Sequence, residues 1–196
     1  MKKLLFIFGL LAMSLIGFAQ QEDITDDIKD LKDKAAQGSA DAQGKLGYCY
    51  LTGTKIEKNE KEGFKLLTEA VKGDNAFSQF YLGLCYHNGT GTAQNPVKAF
   101  QWILKAGEQS FDKAYSYLGN FYYNGIGTGK DRKEAVKWLK KAVENEDDIE
   151  SMYLLATCYN NGDGILKNEA KAVEYFGKAA DKGHVKARAE QAYAYR

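Results

Sequence analysis

Leu46-Gly47-Tyr48-Cys49-Tyr50-Leu51-Thr52-Gly53 has three later echoes in the same chain: Leu82-Gly83-Leu84-Cys85-Tyr86-His87-Asn88-Gly89, Leu118-Gly119-Asn120-Phe121-Tyr122-Tyr123-Asn124-Gly125 and Leu155-Ala156-Thr157-Cys158-Tyr159-Asn160-Asn161-Gly162. Their starts are 36, 36 and 37 residues apart. In every copy a Tyr stands three residues after the Gly (or Ala156), and a turn Gly stands three after the Tyr. A fixed period of this length identifies a stacked array of supersecondary units before any single residue is given a role.

Each echo is followed by a second segment whose apolar residues fall at helical spacing, as in Phe64, Leu67 and Val71 or Phe100, Ile103 and Ala106. The starts of these second helices are marked. Asn59 with Glu62 and Asp131 with Glu134 read as N-caps with a carboxylate three residues on, Asn95-Pro96 as a cap with Pro in the first helical position, and Asn168 as the fourth cap. Gly73, Gly107 and Gly183 fall where helices are expected to end.

Leu and Gly side by side on the first helix allow the second helix to come close, because Gly lacks the side chain that would hold the backbones apart. The Tyr one turn later is expected to fill the gap beside it. One such unit cannot cover its own apolar faces, so stability has to come from stacked neighbours. The expected fold is therefore all-α, a right-handed α-solenoid of about four helix-turn-helix repeats with a capping helix at each end. The expected repeats run 40–74, 75–111, 112–148 and 149–184, with a cap over 20–39 carrying Ile24, Ile28, Leu31 and Ala35, and another over 185–196.

The pattern Ala-x-Ala-Gln-x-x-Leu-Gly-x-x-Tyr-x-x-Gly, followed by a capped helix with Lys-Ala-x-x-Trp-x-x-Lys-Ala, resembles the Sel-one-like repeat (SLR), a relative of the tetratricopeptide repeat. The first unit matches through Ala40, Ala42, Gln43, Leu46, Gly47, Tyr50 and Gly53. Later units add Gln79, Lys98-Ala99, Trp102 and Lys105-Ala106; then Ala135, Trp138 and Lys141-Ala142; then Lys171-Ala172, Tyr175 in place of Trp, and Lys178-Ala179-Ala180. Departures are local: Gly63 stands where Ala is usual, and the stretch 144–148 replaces a turn Gly and adds one residue.

At the other end of the argument stands the N-terminus. Lys2 and Lys3 precede an apolar run from Leu4 to Ile16, and the small residues Gly17 and Ala19 follow. This is the pattern of a secretory signal peptide over 1–19, cut after Ala19. The run is about 13 residues, whereas a membrane-crossing helix needs about 20. No Cys follows the small residues, so there is no thiol for lipid attachment; the expected product is exported, periplasmic or secreted, and not inserted in a membrane. Without Lys2 and Lys3 the chain carries 25 basic against 26 acidic residues, and no basic face of the kind a nucleic-acid partner requires.

Candidate chemistry is sparse. Cys49, Cys85 and Cys158 share one slot of the repeat, with Phe121 in the same slot of the third unit. Equivalent positions of stacked repeats lie about 10 Å apart, too far for an unstrained disulfide, so the three read as buried apolar fillers. The cysteine-rich branch of the resembled family pairs two cysteines within each repeat, which this chain does not have. Cys85 and His87 are two apart on one helix and point to different faces. His184 follows a Gly and is expected in a turn; two separated histidines make no metal site, and no cofactor is expected. Gly125-Ile126-Gly127-Thr128-Gly129-Lys130 has Asn124 and Asp131 where a phosphate loop needs Gly and Ser or Thr, so it reads as an inter-helix turn. Asp147, Asp148 and Glu150 read as solvated acids at a helix start.

In the helical repeats this chain resembles, first helices line a concave face, and that resemblance assigns the partner-binding positions. They include Tyr48; Phe77, Phe80, Leu84 and His87; Asn120 and Tyr123; Tyr153 and Asn160, an aromatic groove with polar edges suited to an extended peptide or a helix. Asn88, Asn124 and Asn161, each just before a turn Gly, read either as a ladder for a peptide backbone or as ordinary turn chemistry. Phe77 and Phe80 have packing between repeats as their competing role. The resemblance implies a single-copy, non-enzymatic interaction scaffold of the cell envelope with a protein or peptide partner. The alternative is binding or hydrolysis of β-lactams, an activity associated with the cysteine-rich branch, for which the chain lacks the paired cysteines and a Ser-x-x-Lys nucleophile motif.

Overall fold

The computed structural model describes residues 24–145 and 148–194. The expected signal peptide and its cleavage point lie outside the described residues. Among the described residues the fold is all-α, an α-solenoid class of repeated helix-turn-helix units with one further helix at each end and no strand. The helices are α1 (Ile28–Ala36), α2 (Ala40–Thr52), α3 (Glu60–Ala70), α4 (Ala76–Asn88), α5 (Pro96–Glu108), α6 (Lys113–Asn124), α7 (Arg132–Asn145), α8 (Ile149–Asn161), α9 (Glu169–Asp181) and α10 (Val185–Ala194). A 3-10 turn, Val71–Gly73, extends α3. The chain divides into two compact units at Asn95/Pro96.

The caps fall where the residue types dictate. Asn59 Oδ1 accepts the Glu62 N–H at 3.1 Å, Asp131 Oδ1 accepts that of Glu134 at 3.0 Å, and Asn168 Oδ1 accepts that of Lys171 at 2.9 Å. Pro96 opens α5, where its missing N–H costs nothing. Each such bond satisfies a donor that the helix itself leaves unpaired, worth about 1 kcal/mol. At the other end of the first helices, Gly53, Gly89, Gly125 and Gly162 all sit at φ 75–77° and end their helices in the left-handed conformation. The repeat Tyr then closes each hairpin through its carbonyl, which accepts the N–H of Asn59, Asn95, Asp131 or Asn168 at 2.8–3.0 Å.

In the first unit α2 packs on α3 as the Leu-Gly pair predicts. A Cβ on Gly47 would lie 3.1 Å from both the Gly63 carbonyl oxygen and the Leu67 side chain. Gly63, the departure from the usual Ala, belongs to the same contact: a Cβ there would meet Leu51 at 2.7 Å and the Gly47 carbonyl oxygen at 2.8 Å. The first unit ends in a clasp. Ile24 is buried, Lys55 Nζ donates to the carbonyls of Ile24 and Asp26, and Lys45 pairs with Asp26 at 3.0 Å. The Lys45 ammonium holds the Asp26 carboxyl below its ordinary value.

Stacking between repeats shows what the Tyr and the turn do. Tyr86 meets Phe64 of the preceding repeat edge-on at 5.5 Å, and in the second unit Tyr122 meets Phe100 likewise at 5.2 Å. Tyr86 and Tyr122 thus pack against the preceding repeat, while Tyr159 stacks on Tyr175 of its own repeat at 6.0 Å. The second Gly of the turn matters as much. A Cβ on Gly91 would lie 2.2 Å from the Glu60 carbonyl oxygen, and one on Gly127 2.0 Å from that of Pro96. In the first repeat, with no repeat before it, the same slot holds Lys55, still at φ 62°, and its side chain makes the clasp described above.

One sequence expectation is corrected. Gly107 does not terminate a helix: it lies within α5, buried, where a Cβ would meet Leu118 at 2.5 Å. The reversal after α5 instead uses Ser110 at φ 63°.

Candidate functional site

The sequence places a partner on the first helices, α2 and α4 in the first unit and α6 and α8 in the second. In the first unit three of the assigned residues are core. Tyr48 and Leu84 are 0% exposed and Phe80 is 3% exposed. Tyr48 packs at 4.8 Å on Tyr81 and 5.9 Å on Phe77, while Phe80 lies 5.1 Å from Tyr81. Tyr48 joins α2 to the rings of α4, each contact adding about 1 kcal/mol beyond area burial, and both Tyr48 and Phe80 are buried. Phe77 and His87 are half-buried, and burial pushes the His87 imidazole below its ordinary value. Asn88 is half-buried with its Nδ2 enclosed.

In the second unit the assigned rings remain partly open. The Arg132 guanidinium lies 3.6 Å over the centre of the Tyr123 ring, donates to the Tyr123 carbonyl, and reaches Asp163 at 4.0 Å. Burial raises the Tyr123 phenol, with the Arg132 charge opposing it. Tyr153, half-buried, lies 5.8 Å from Phe176 and is stacked on His184 at 4.4 Å. Beside them Asn124 Nδ2 donates to Asn120 Oδ1 at 2.8 Å, and Asn160 Nδ2 to Asn161 Oδ1 at 3.2 Å. Asn124, Asn160 and Asn161 are exposed and Asn120 is half-buried. The asparagines thus pair along their own helix ends.

Residues that the sequence did not single out hold these rings. Arg132, the first residue of α7, grips Tyr123 and Asp163 while a Cβ on Gly164 would fall 2.2 Å from the Arg132 carbonyl. His184, expected in a turn, directly follows the turn at Lys182 and Gly183 and caps α10, with Nδ1 accepting the Ala187 N–H at 3.0 Å and Nε2 3.2 Å from Glu150. Asp148 also has a structural task, capping α8 through the Ser151 N–H at 2.7 Å, whereas Asp147 lies outside the described residues. The Arg132–Asp163 pairing crosses from the third repeat to the fourth, whereas the caps made by Asp148 and His184 are bonds between residues three apart.

The thiols are buried and free. Burial pushes Cys85 and Cys158 up to about 12 and raises Cys49, so at neutral pH each holds its proton and is a poor nucleophile. Among the described residues no group of three or more His, Cys, Asp or Glu is placed to hold a metal ion, and no helix is long and apolar enough to cross a membrane.

A helix-turn-helix repeat protein with these closely apposed glycines and capped second helices is the class that fold and face define. The model of the Sel1 repeat matches residues 40–75, 76–111, 112–147 and 149–184, and the chain belongs to that family. Among solved structures it is similar to a protective antigen present in uropathogenic Escherichia coli strains, displaying an SLR fold, with 31% identity and a TM-score of 0.75 over 87% of this chain. The match spans 36% of that antigen's chain. It is similar also to a Sel1 repeat protein from Oxalobacter formigenes, with 33% identity and a TM-score of 0.74 over 93% of this chain and 75% of that one. No curated protein matches the chain.

Proposed function

We propose that this protein is a non-enzymatic interaction scaffold, exported to the cell envelope or beyond, that binds a peptide or protein segment along the first-helix face of its second unit. The observation that carries the reading is the pair Tyr123 and Tyr153. Both rings are half-buried on successive first helices, each is braced by a group from a following element, and polar Asn120, Thr157 and Asn160 lie alongside. Braced aromatic rings give contact area at little entropic cost, and amides fix the direction of a bound backbone. In the first unit Phe77, His87 and Asn88 are the assigned residues that are only half-buried, while Tyr48, Phe80 and Leu84 act through packing. Export rests on the leader pattern at 1–19.

The test immobilises residues 20–196, captures partners from envelope extract, and repeats the capture with Tyr123→Ala and Tyr153→Ala. Tyr48 is left intact because its removal would open the core. The expected outcome is loss of a specific captured protein with each variant while the melting curve keeps its cooperative shape. Undiminished capture by both variants removes this face from the proposal.

A further inference from the structure

Three of the first helices, α2, α4 and α8, and the helix α10 begin by one device. Ser39 Oγ, Asn75 Oδ1 and Asp148 Oδ1 each accept the backbone N–H three residues ahead, from Ala42, Ser78 and Ser151, at 3.3, 2.9 and 2.7 Å. The same slot before α10 holds His184, and its Nδ1 accepts the Ala187 N–H at 3.0 Å. A hydroxyl, an amide and a carboxylate can accept across the whole neutral range. An imidazole nitrogen can accept only while it carries no proton.

The second nitrogen is engaged too. Nε2 lies 3.2 Å from Glu150 Oε2 at the start of α8, and the ring stacks on Tyr153 with planes 23° apart; the side chain is 15% exposed. With Nδ1 accepting, the ring's one proton is on Nε2 and donates to Glu150, so the neutral imidazole satisfies both neighbours at once. A second proton would set an N–H at Nδ1 against the Ala187 N–H. Glu150 would retain the imidazolium, but the helix would lose its cap.

We propose that His184 is a protonation-sensitive cap, which releases the first turn of α10 on acidification while the rest of the second unit stays folded. α10 packs at the end of the fourth repeat through its own Ala187, which is fully buried. Glu150 and Tyr153 on α8 face the imidazole directly, and the charged groups nearest it along the chain are Asp181 and Lys182 at the end of α9 and Lys186 and Arg188 on α10. Arg188 donates to the Ala180 carbonyl at 3.4 Å and ties α10 to α9 independently of the cap.

The experiment is amide hydrogen exchange on the full chain, wild type against His184→Asn, compared at equal pH between about 7.5 and about 5.5, the range in which imidazoles change charge. Asn restores the acceptor used at position 75 and does not titrate. Exchange over residues 185–191 in wild type should rise roughly fivefold relative to His184→Asn as pH falls, the scale of a lost N-cap, with residues 149–161 unchanged. His184→Ala should exchange fast at both extremes. A ratio that stays flat with pH, an equal rise across residues 149–161, or a His184→Ala protein indistinguishable from wild type would each overturn the proposal.

Discussion

At the scale of single residues, the cysteines show how a slot in the repeat sets chemistry. Cys49, Cys85 and Cys158 occupy one register position, and the sequence expectation of buried fillers agrees with three buried free thiols. Cys85 and Cys158 should therefore resist alkylation by iodoacetamide at pH 8 in the native protein and react fully in denaturant, which mass spectrometry reads directly. Their pH dependence follows from the direction of the shift. A thiol raised from 9.0 to about 12 by burial binds its proton more tightly in the folded state. That contribution is complete below about pH 9 and is lost as pH climbs toward 12. Melting temperature should hold to about pH 8.5 and fall above it, less steeply in a Cys85→Ala/Cys158→Ala double variant. The rings were less legible. Tyr48 and Tyr123 are both among the assigned positions, yet one is sealed against Tyr81 and the other is only half-buried beneath Arg132.

Elements are joined at glycines, and the closest approach is at the turn. Gly127 combines φ 69° with a Cβ position 2.0 Å from the carbonyl oxygen of Pro96, itself held by its ring at the start of α5. Gly127→Ala should lower unfolding free energy by about 3 kcal/mol or more, since both backbone strain and a backbone clash oppose it. Gly129→Ala, two residues on in open space, should stay within about 0.5 kcal/mol. Urea titration of both variants checks the pair. Helix starts were readable from Asn59, Asp131 and Asn168 because a cap is a local bond between residues three apart. Gly107 was misread for the opposite reason: its partner, Leu118, belongs to the next helix.

Over the whole molecule, each repeat draws its stability from immediate neighbours, so damage should remain near where it is made. Leu31, buried in α1, is the test. Leu31→Ala removes about 2–5 kcal/mol of local packing. Hydrogen exchange should accelerate through α1 and α2 and in the clasp made by Lys55 and Lys45, while α8 and α9 keep wild-type protection. Uniform acceleration along the chain would show that the array unfolds as one body.

The period, the helix starts, the turns and the slot of each cysteine were determined by the sequence alone, because each depends on contacts within one repeat and recurs with it. Tertiary structure decided which aromatic rings are walls and which are surface, and why Lys55 stands where later repeats need Gly. Those outcomes depend on what the next repeat, or the end of the array, brings against a residue, and distance along the chain carries no record of it.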